Sequence, residues 1–174
     1  MHARFFLLAT IPASIGAPAW SEVYLTVAQA QATLFPQQTL TPDDRLLTPA
    51  QMAAIRTRSG VAPLSRRVRS WRARDGGRLF VDEVLGKHEF ITLALALDPG
   101  GAVRALEILE YRESYGGEVR APAWRQQFLG KRDGAPLVLD KDIRNNSGGT
   151  LSARHVTDGV RRLLATNSLV FAGS

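Results

Sequence analysis

The sequence predicts an α+β domain: an antiparallel β-sheet built from hairpins, with flanking helices. Three observations carry that reading. Four β-prone runs between Arg67 and Tyr111 are punctuated by clusters of turn residues. A capped helix precedes them, and apolar residues at helical spacing follow them near the C-terminal end. With 174 residues, 45% hydrophobic and 22% charged, the chain has the size and composition of one globular domain, which argues against disorder or a repeat array.

Taken in order, the first segment is set apart from the fold. "MHARFFLLATIPASIGAPAW" has a basic start at His2 and Arg4, an apolar run from Phe5 to Ile15, and Ala17 and Ala19 spaced as A-x-A. It reads as a secretory signal peptide over residues 1–19, leaving a single domain over 20–174. The apolar run is shorter than the roughly 20 residues of a spanning helix, and no later run reaches that length. The mature chain is therefore expected to lack a transmembrane helix and to work in the periplasm or another extracytoplasmic space.

A short helix is expected from Val27 to Leu34, ended by Pro36. "LTPAQMAAIRTRSG" then places Thr48 as N-cap, Pro49 at the first helical position, Gln51 as the partner in a capping box, and Gly60 as the stop. In the middle, "RVRSWRAR" and "RLFVDEVL" flank Asp75-Gly76-Gly77, while "FITLALAL" and "AVRALEILEY" flank Asp98-Pro99-Gly100-Gly101, which predicts two hairpins. Pro122 opens a further helical turn with Trp124 and Phe128 on one face, a spacing that predicts core anchors. From Ser152, Val156, Val160, Leu163 and Leu164 define an amphipathic helix, with Arg161 and Arg162 expected near its electronegative C-terminal end.

The absence of cysteine excludes disulfides, thiolate-held iron–sulfur clusters and attached c-type haem. His88 and His155 have no metal-binding spacing, and no Ser/His/Asp constellation points to an independent enzyme. The segment that stands out is Ser147-Gly148-Gly149-Thr150, which leads into the last helix. A helix N-terminus leaves backbone N–H groups without intrahelical acceptors, and glycine admits a ligand close to the main chain, so a phosphate is the natural guest. Taken alone, the loop reads equally as a glycine turn with Ser and Thr capping the helix.

Ser147-Gly148-Gly149-Thr150, with Leu151-Ser152 and Val156…Gly159-Val160 behind it, resembles the S/T-G-A-T signature of the FMN-binding domain family. That family includes the C subunit of the sodium-pumping NADH:quinone oxidoreductase and the G subunit of the Rnf complex. Upstream, Glu113-Ser114-Tyr115-Gly116-Gly117-Glu118 resembles the family's E-x-x-G-x-G-E region, and Trp124, Phe128 and Gly130-Lys131 resemble its W-x-x-x-F-x-G-K run. Gly86-Lys87-His88-Glu89 is similar as well, so the likeness covers roughly residues 80–164.

The resemblance implies a loop bearing FMN at the N-terminus of the C-terminal helix. It implies that a flavin transferase moves FMN from FAD onto Thr150 through a phosphoester, and that Ser147, Gly148, Gly149, Leu151, Ser152, Glu113, Ser114, Tyr115, Gly116 and Gly117 surround the cofactor. Tyr115 is expected against the flavin ring. Two departures accompany it. Gly149 replaces the signature alanine and is expected to loosen the loop. Arg144 stands where an acid commonly precedes the signature serine by three positions, and a loop shift through Asn145 and Asn146 is expected to bring Asp142 into its place.

Charge supplies a rival of another class. The formal charge is +6, one less without Arg4, and Arg66, Arg67, Arg69, Arg72 and Arg74 crowd around Trp71. A secreted basic module binding a polyanion such as nucleic acid or an anionic surface fits that segment, as does a plainly solvated strand edge. The export signal argues against nucleic acid. The reading favoured by the sequence is an extracytoplasmic flavoprotein exchanging electrons with a membrane redox protein.

Overall fold

The computed structural model describes residues 22–113, 116–145 and 149–172. Its elements run β1 (Glu22–Val23), α1 (Val27–Leu34), β2 (Leu40–Pro42), β3 (Arg45–Leu46), α2 (Pro49–Ser59), β4 (Arg67–Ala73), β5 (Arg78–Leu85), β6 (Phe90–Leu97), β7 (Val103–Tyr111), α3 (Pro122–Arg125) and α4 (Thr150–Val170). Short 3₁₀ turns cover Gly117–Arg120 and Gln126–Phe128.

The two predicted hairpins form, and they join into one antiparallel meander because β5 pairs β6 through eight residue pairs, from Arg78↔Leu97 to Leu85↔Phe90. The sheet order is β1-β7-β6-β5-β4-β2, with β3 pairing β4 beyond this path. Strand β6 explains how helices come to lie on both faces. Its alternate residues Ile91, Leu93, Leu95 and Leu97 enter the larger core with Val156, Val160, Leu163 and Leu164 of α4, while Ala94 and Ala96 enter a smaller core with Ala30, Leu34 and Phe35. Bulky side chains hold the long helix off the sheet on one side; alanines let α1 come close on the other.

Both predicted early helices form with their capping boxes, Thr26 with Gln29 and Thr48 with Gln51, and α2 stops at Gly60 with φ 74°. Trp124 and Phe128 are buried edge to face with ring centroids 5.1 Å apart, as core anchors should be.

Two expectations are corrected. Strand β4 is not a sheet edge, since β5 lies on one side and β2 and β3 on the other. The covering strands are two or three residues long and one ends in Pro42, too short to show a period. Helix α4 begins at Thr150 and continues to Val170, so Arg161 and Arg162 sit within it and not at its end. Arg162 is instead buried, donating to Asp82 at 2.7 Å and to the Glu83 carbonyl at 3.0 Å. Tertiary pairing across the sheet, not the helix dipole, holds it there. Among the described residues no helix is long and apolar enough to cross a membrane.

Candidate functional site

The site is built where the end of β7 meets the start of α4. Tyr111, the last residue of β7, is buried and its hydroxyl lies 3.0 Å from Ser152 Oγ on the first turn of α4. Burial pushes the Tyr111 phenol above its ordinary pKa, against the opposing effect of the Ser152 hydrogen bond, so it remains a neutral hydrogen-bonding partner. Beyond it Gly116 adopts φ 86°, which any other L-residue reaches only with strain. A Cβ there would stand 2.7 Å from Ser152 Oγ and 2.9 Å from the Tyr111 hydroxyl.

Gly149 lies directly against this turn. A Cβ on Gly149 would fall 2.8 Å from Gly116 Cα, so two main chains touch at positions 33 residues apart in sequence. At Gly149, expected from the sequence to loosen the loop, the described neighbours leave no room for a Cβ. Glycine permits a backbone-to-backbone contact that a methyl group would push apart.

Gly149 is also the N-cap of α4, and among the described residues no side chain caps the helix. Thr150 is the first helical residue and is exposed. The N–H groups of the first turn have no intrahelical acceptors, and a 21-residue helix places the positive end of its dipole at this point. Asn145 Nδ2 lies 3.4 Å from Thr150 Oγ1 and 3.4 Å from Asp140 Oδ2, at the outer limit of hydrogen bonding. Capping by Thr150, an alternative left open by the sequence, is thus not its role.

A groove of about 760 Å³ is lined by Glu118, Trp124, Gln127, Lys141, Arg144 and Asn145 among others, and Asn145 links it to Thr150. Its wall is fixed through the backbone of Arg144. The indole Nε1 of Trp124 donates to the Arg144 carbonyl at 2.8 Å, and the Arg144 N–H donates to Gln127 Oε1 at 2.7 Å. The Arg144 side chain remains exposed.

Asp142 does not take the place of the missing acid. It accepts from the N–H groups of Val138 at 2.6 Å and Leu137 at 3.0 Å and pairs with Lys131 at 3.4 Å. Burial alone would raise its pKa, but the Val138 N–H and the Lys131 charge outweigh that and hold it below the usual carboxylate range. Asp142 braces the 137–142 turn and is not free to shift.

Glu113 is committed in a similar way. Its Oε1 accepts from the N–H of His88 at 2.5 Å and of Glu89 at 3.0 Å, in the turn joining β5 to β6. Burial opposes ionisation there, yet the backbone donors of Glu89, His88 and Lys87 prevail and the pKa is lowered. The same turn is tied to α4 by His155, whose Nδ1–H donates to the Gly86 carbonyl at 3.1 Å. Glu113 thus steadies the turn against which the helix start is braced.

Of the residues singled out from sequence, Gly116, Gly117, Gly149, Thr150, Leu151 and Ser152 gather at the mouth of α4, with Leu151 exposed and Ser152 buried. Ser114, Tyr115, Ser147 and Gly148 lie outside the described residues. Sequence reasoning missed Tyr111, Gln127, Lys141 and His155, which carry no motif. Trp124 was legible as a core anchor, but its bond to Arg144 was not.

The basic segment disperses. Arg67 pairs with Asp44 at 2.7 Å and Arg66 donates to the Leu47 carbonyl. Strand alternation sends Arg69 and Trp71 to one face of the sheet and Arg72 to the other. The five arginines therefore do not share one face, although Arg72 and Arg74 line a groove with Arg45.

A glycine-lined helix mouth, an exposed hydroxyl and a nearby polar groove are features that suit a phosphate-bearing ligand. Residues 86–165 match the model of the FMN-binding domain family, and this segment belongs to it. The matched span begins at the β5–β6 turn and ends within α4, so it encloses every part of the site just described. A search of the curated proteins finds no match to the chain. The protein is a flavin-binding protein. FMN fits what is present: the N–H groups at the start of α4, uncapped by any described residue, suit its phosphate, and the groove lies within the roughly 300–1,000 Å³ typical of small-molecule sites.

Proposed function

We propose that Thr150 carries FMN covalently and that the domain works outside the cytoplasm as an electron carrier for a membrane redox partner. The single observation behind the attachment is that Thr150, first residue of α4, is exposed and has its hydroxyl 3.4 Å from Asn145, which lines the groove. In the transfer, Thr150 Oγ attacks the flavin-side phosphorus of FAD. The P–O bond to the adenylate half breaks, AMP leaves, and the hydroxyl proton passes to a base of the flavin transferase or to water. The phosphodiester retains one negative charge beside the helix N-terminus, an arrangement that contributes about 0.3–1 kcal/mol.

Covalency supports the extracytoplasmic reading, since a tether keeps a cofactor from being lost by dilution. The A-x-A segment at residues 17–19 supports export. The flavin itself supplies exchange between two-electron and one-electron partners; the protein supplies attachment, orientation and electrostatic tuning.

The test is coexpression with a flavin transferase. Thr150→Val keeps the β-branched shape and removes the nucleophile, so flavin fluorescence on a denaturing gel should vanish and intact mass should fall by one attached FMN. A Val variant that still glows under denaturing conditions removes Thr150 from the proposal.

A further inference from the structure

The groove linked to Thr150 by Asn145 carries cations that the attachment chemistry does not use. Lys141 and Arg144 both line it, both side chains are exposed, and neither makes an ion pair with a described residue. Of the two carboxylates flanking Lys141, Asp142 is paired with Lys131 and two backbone N–H groups, and Asp140 lies 3.4 Å from the Asn145 amide. Across the groove stands Glu118, whose Oε2 lies 3.0 Å from the position a Gly149 Cβ would occupy. Two cations without ion pairs among the described residues thus share an open groove with Glu118, while Asp140 stands at its margin.

We infer that Lys141 and Arg144 form an electropositive wall that favours the reduced flavin, with Arg144 as a positioning and tuning residue and Glu118 as its counterweight. The inference rests on the attachment at Thr150. Reduction of the flavin takes up two electrons and one proton, which adds one negative charge to the ring. A nearby cation stabilises the charged product over the neutral reactant, so it shifts the equilibrium toward reduction. The side chain of Arg144 is suited to such a role because its backbone does the structural work. Replacing the guanidinium leaves the bonds to Trp124 and Gln127 intact.

The measurement is a spectroscopic titration of the flavin-loaded protein with dithionite, which is oxidised to sulfite as it gives up its two electrons, against a dye of known potential. Arg144→Gln should lower the reduced-to-oxidised ratio at fixed potential about tenfold, equivalent to about 30 mV for a two-electron couple. Arg144→Lys should restore most of it, Lys141→Gln should act in the same direction as Arg144→Gln, and Glu118→Gln should act in the opposite direction. Each shift should shrink as salt is raised from about 0.01 to 1 M, where the screening length falls from about 30 to 3 Å.

Equal potentials for the parent protein, Arg144→Gln and Glu118→Gln, in preparations whose mass proves FMN on Thr150, would overturn the inference while leaving the attachment intact. Absence of FMN from Thr150 is a separate result, read by mass before any titration, and it overturns both.

Discussion

The two ends of α4 are made differently. At its start the helix has no side-chain cap among the described residues, presents Thr150 and Leu151 to solvent, and touches the rest of the protein through Gly149 against Gly116 and Ser152 against Tyr111. Further along, Val156, Val160, Leu163 and Leu164 are buried in the main core, Gly159 presses on Val84, and Arg162 is paired with Asp82. Past the helix, Phe171 packs edge to face on Phe80 and lies under the Arg78 guanidinium at 4.0 Å. The far half anchors the helix so that the near end can be left chemically unfinished. A helix start that satisfied all its own donors would have none to offer a phosphate.

That division is sharpened by mutating each half. The largest effect on stability belongs to the anchor: Arg162→Ala strips a buried guanidinium from Asp82 and should cost about 3 kcal/mol, since breaking such a pair leaves a carboxylate without its partner. A fall in melting temperature of roughly 10 °C with flavin attachment preserved is the expected calorimetric result. Loss of flavin without loss of stability would assign Arg162 to the site and break the comparison.

A smaller cost in stability and a larger one in function are expected at the mouth. Gly149→Ala restores the signature alanine but forces a methyl group toward Gly116 Cα, an overpacking of about 1–3 kcal/mol. Thermal melting should fall modestly while the yield of covalent flavin, measured by intact mass, falls severalfold. A variant that loads and melts like the parent would show that the Gly116–Gly149 approach does not shape the loop.

The smallest effect concerns pH. Glu113 has a folded-state pKa lowered from 4.5, so the stability it contributes is present above that value and is lost as pH falls through the lowered one. Melting curves of Glu113→Gln and the parent, followed from about pH 6 to pH 3, should converge at the acid end, with the parent more stable at the neutral end. A constant gap across that range would mean that the Glu113 charge is not what holds the turn.

Much of this was legible before any coordinates. The capping box at Thr48 and the turn clusters at 75–77 and 98–101 act within a few residues, so local chemistry was enough to place α2 and the meander. Thr150 could be singled out because its motif is contiguous. Lys141, Gln127 and Tyr111 could not, because their roles come from elements that meet only after the chain folds. The five arginines around Trp71 show how strand alternation redistributes a crowded segment: Arg67 pairs with Asp44, while Arg72 and Arg74 meet Arg45, a residue distant in sequence, at one groove.

By itself the sequence determined the α+β class, the order of its main elements, and a hydroxyl beside glycines at the start of a long helix. These follow from period, capping and turn chemistry, whose range is one turn or one strand. Tertiary structure alone decided that Gly149 must be glycine, that Asp142 and Glu113 are committed to turns, and that Lys141 and Arg144 share one groove. Each of those depends on contacts between residues that only the folded sheet and helix bring within a few ångströms, and no local pattern encodes such distances.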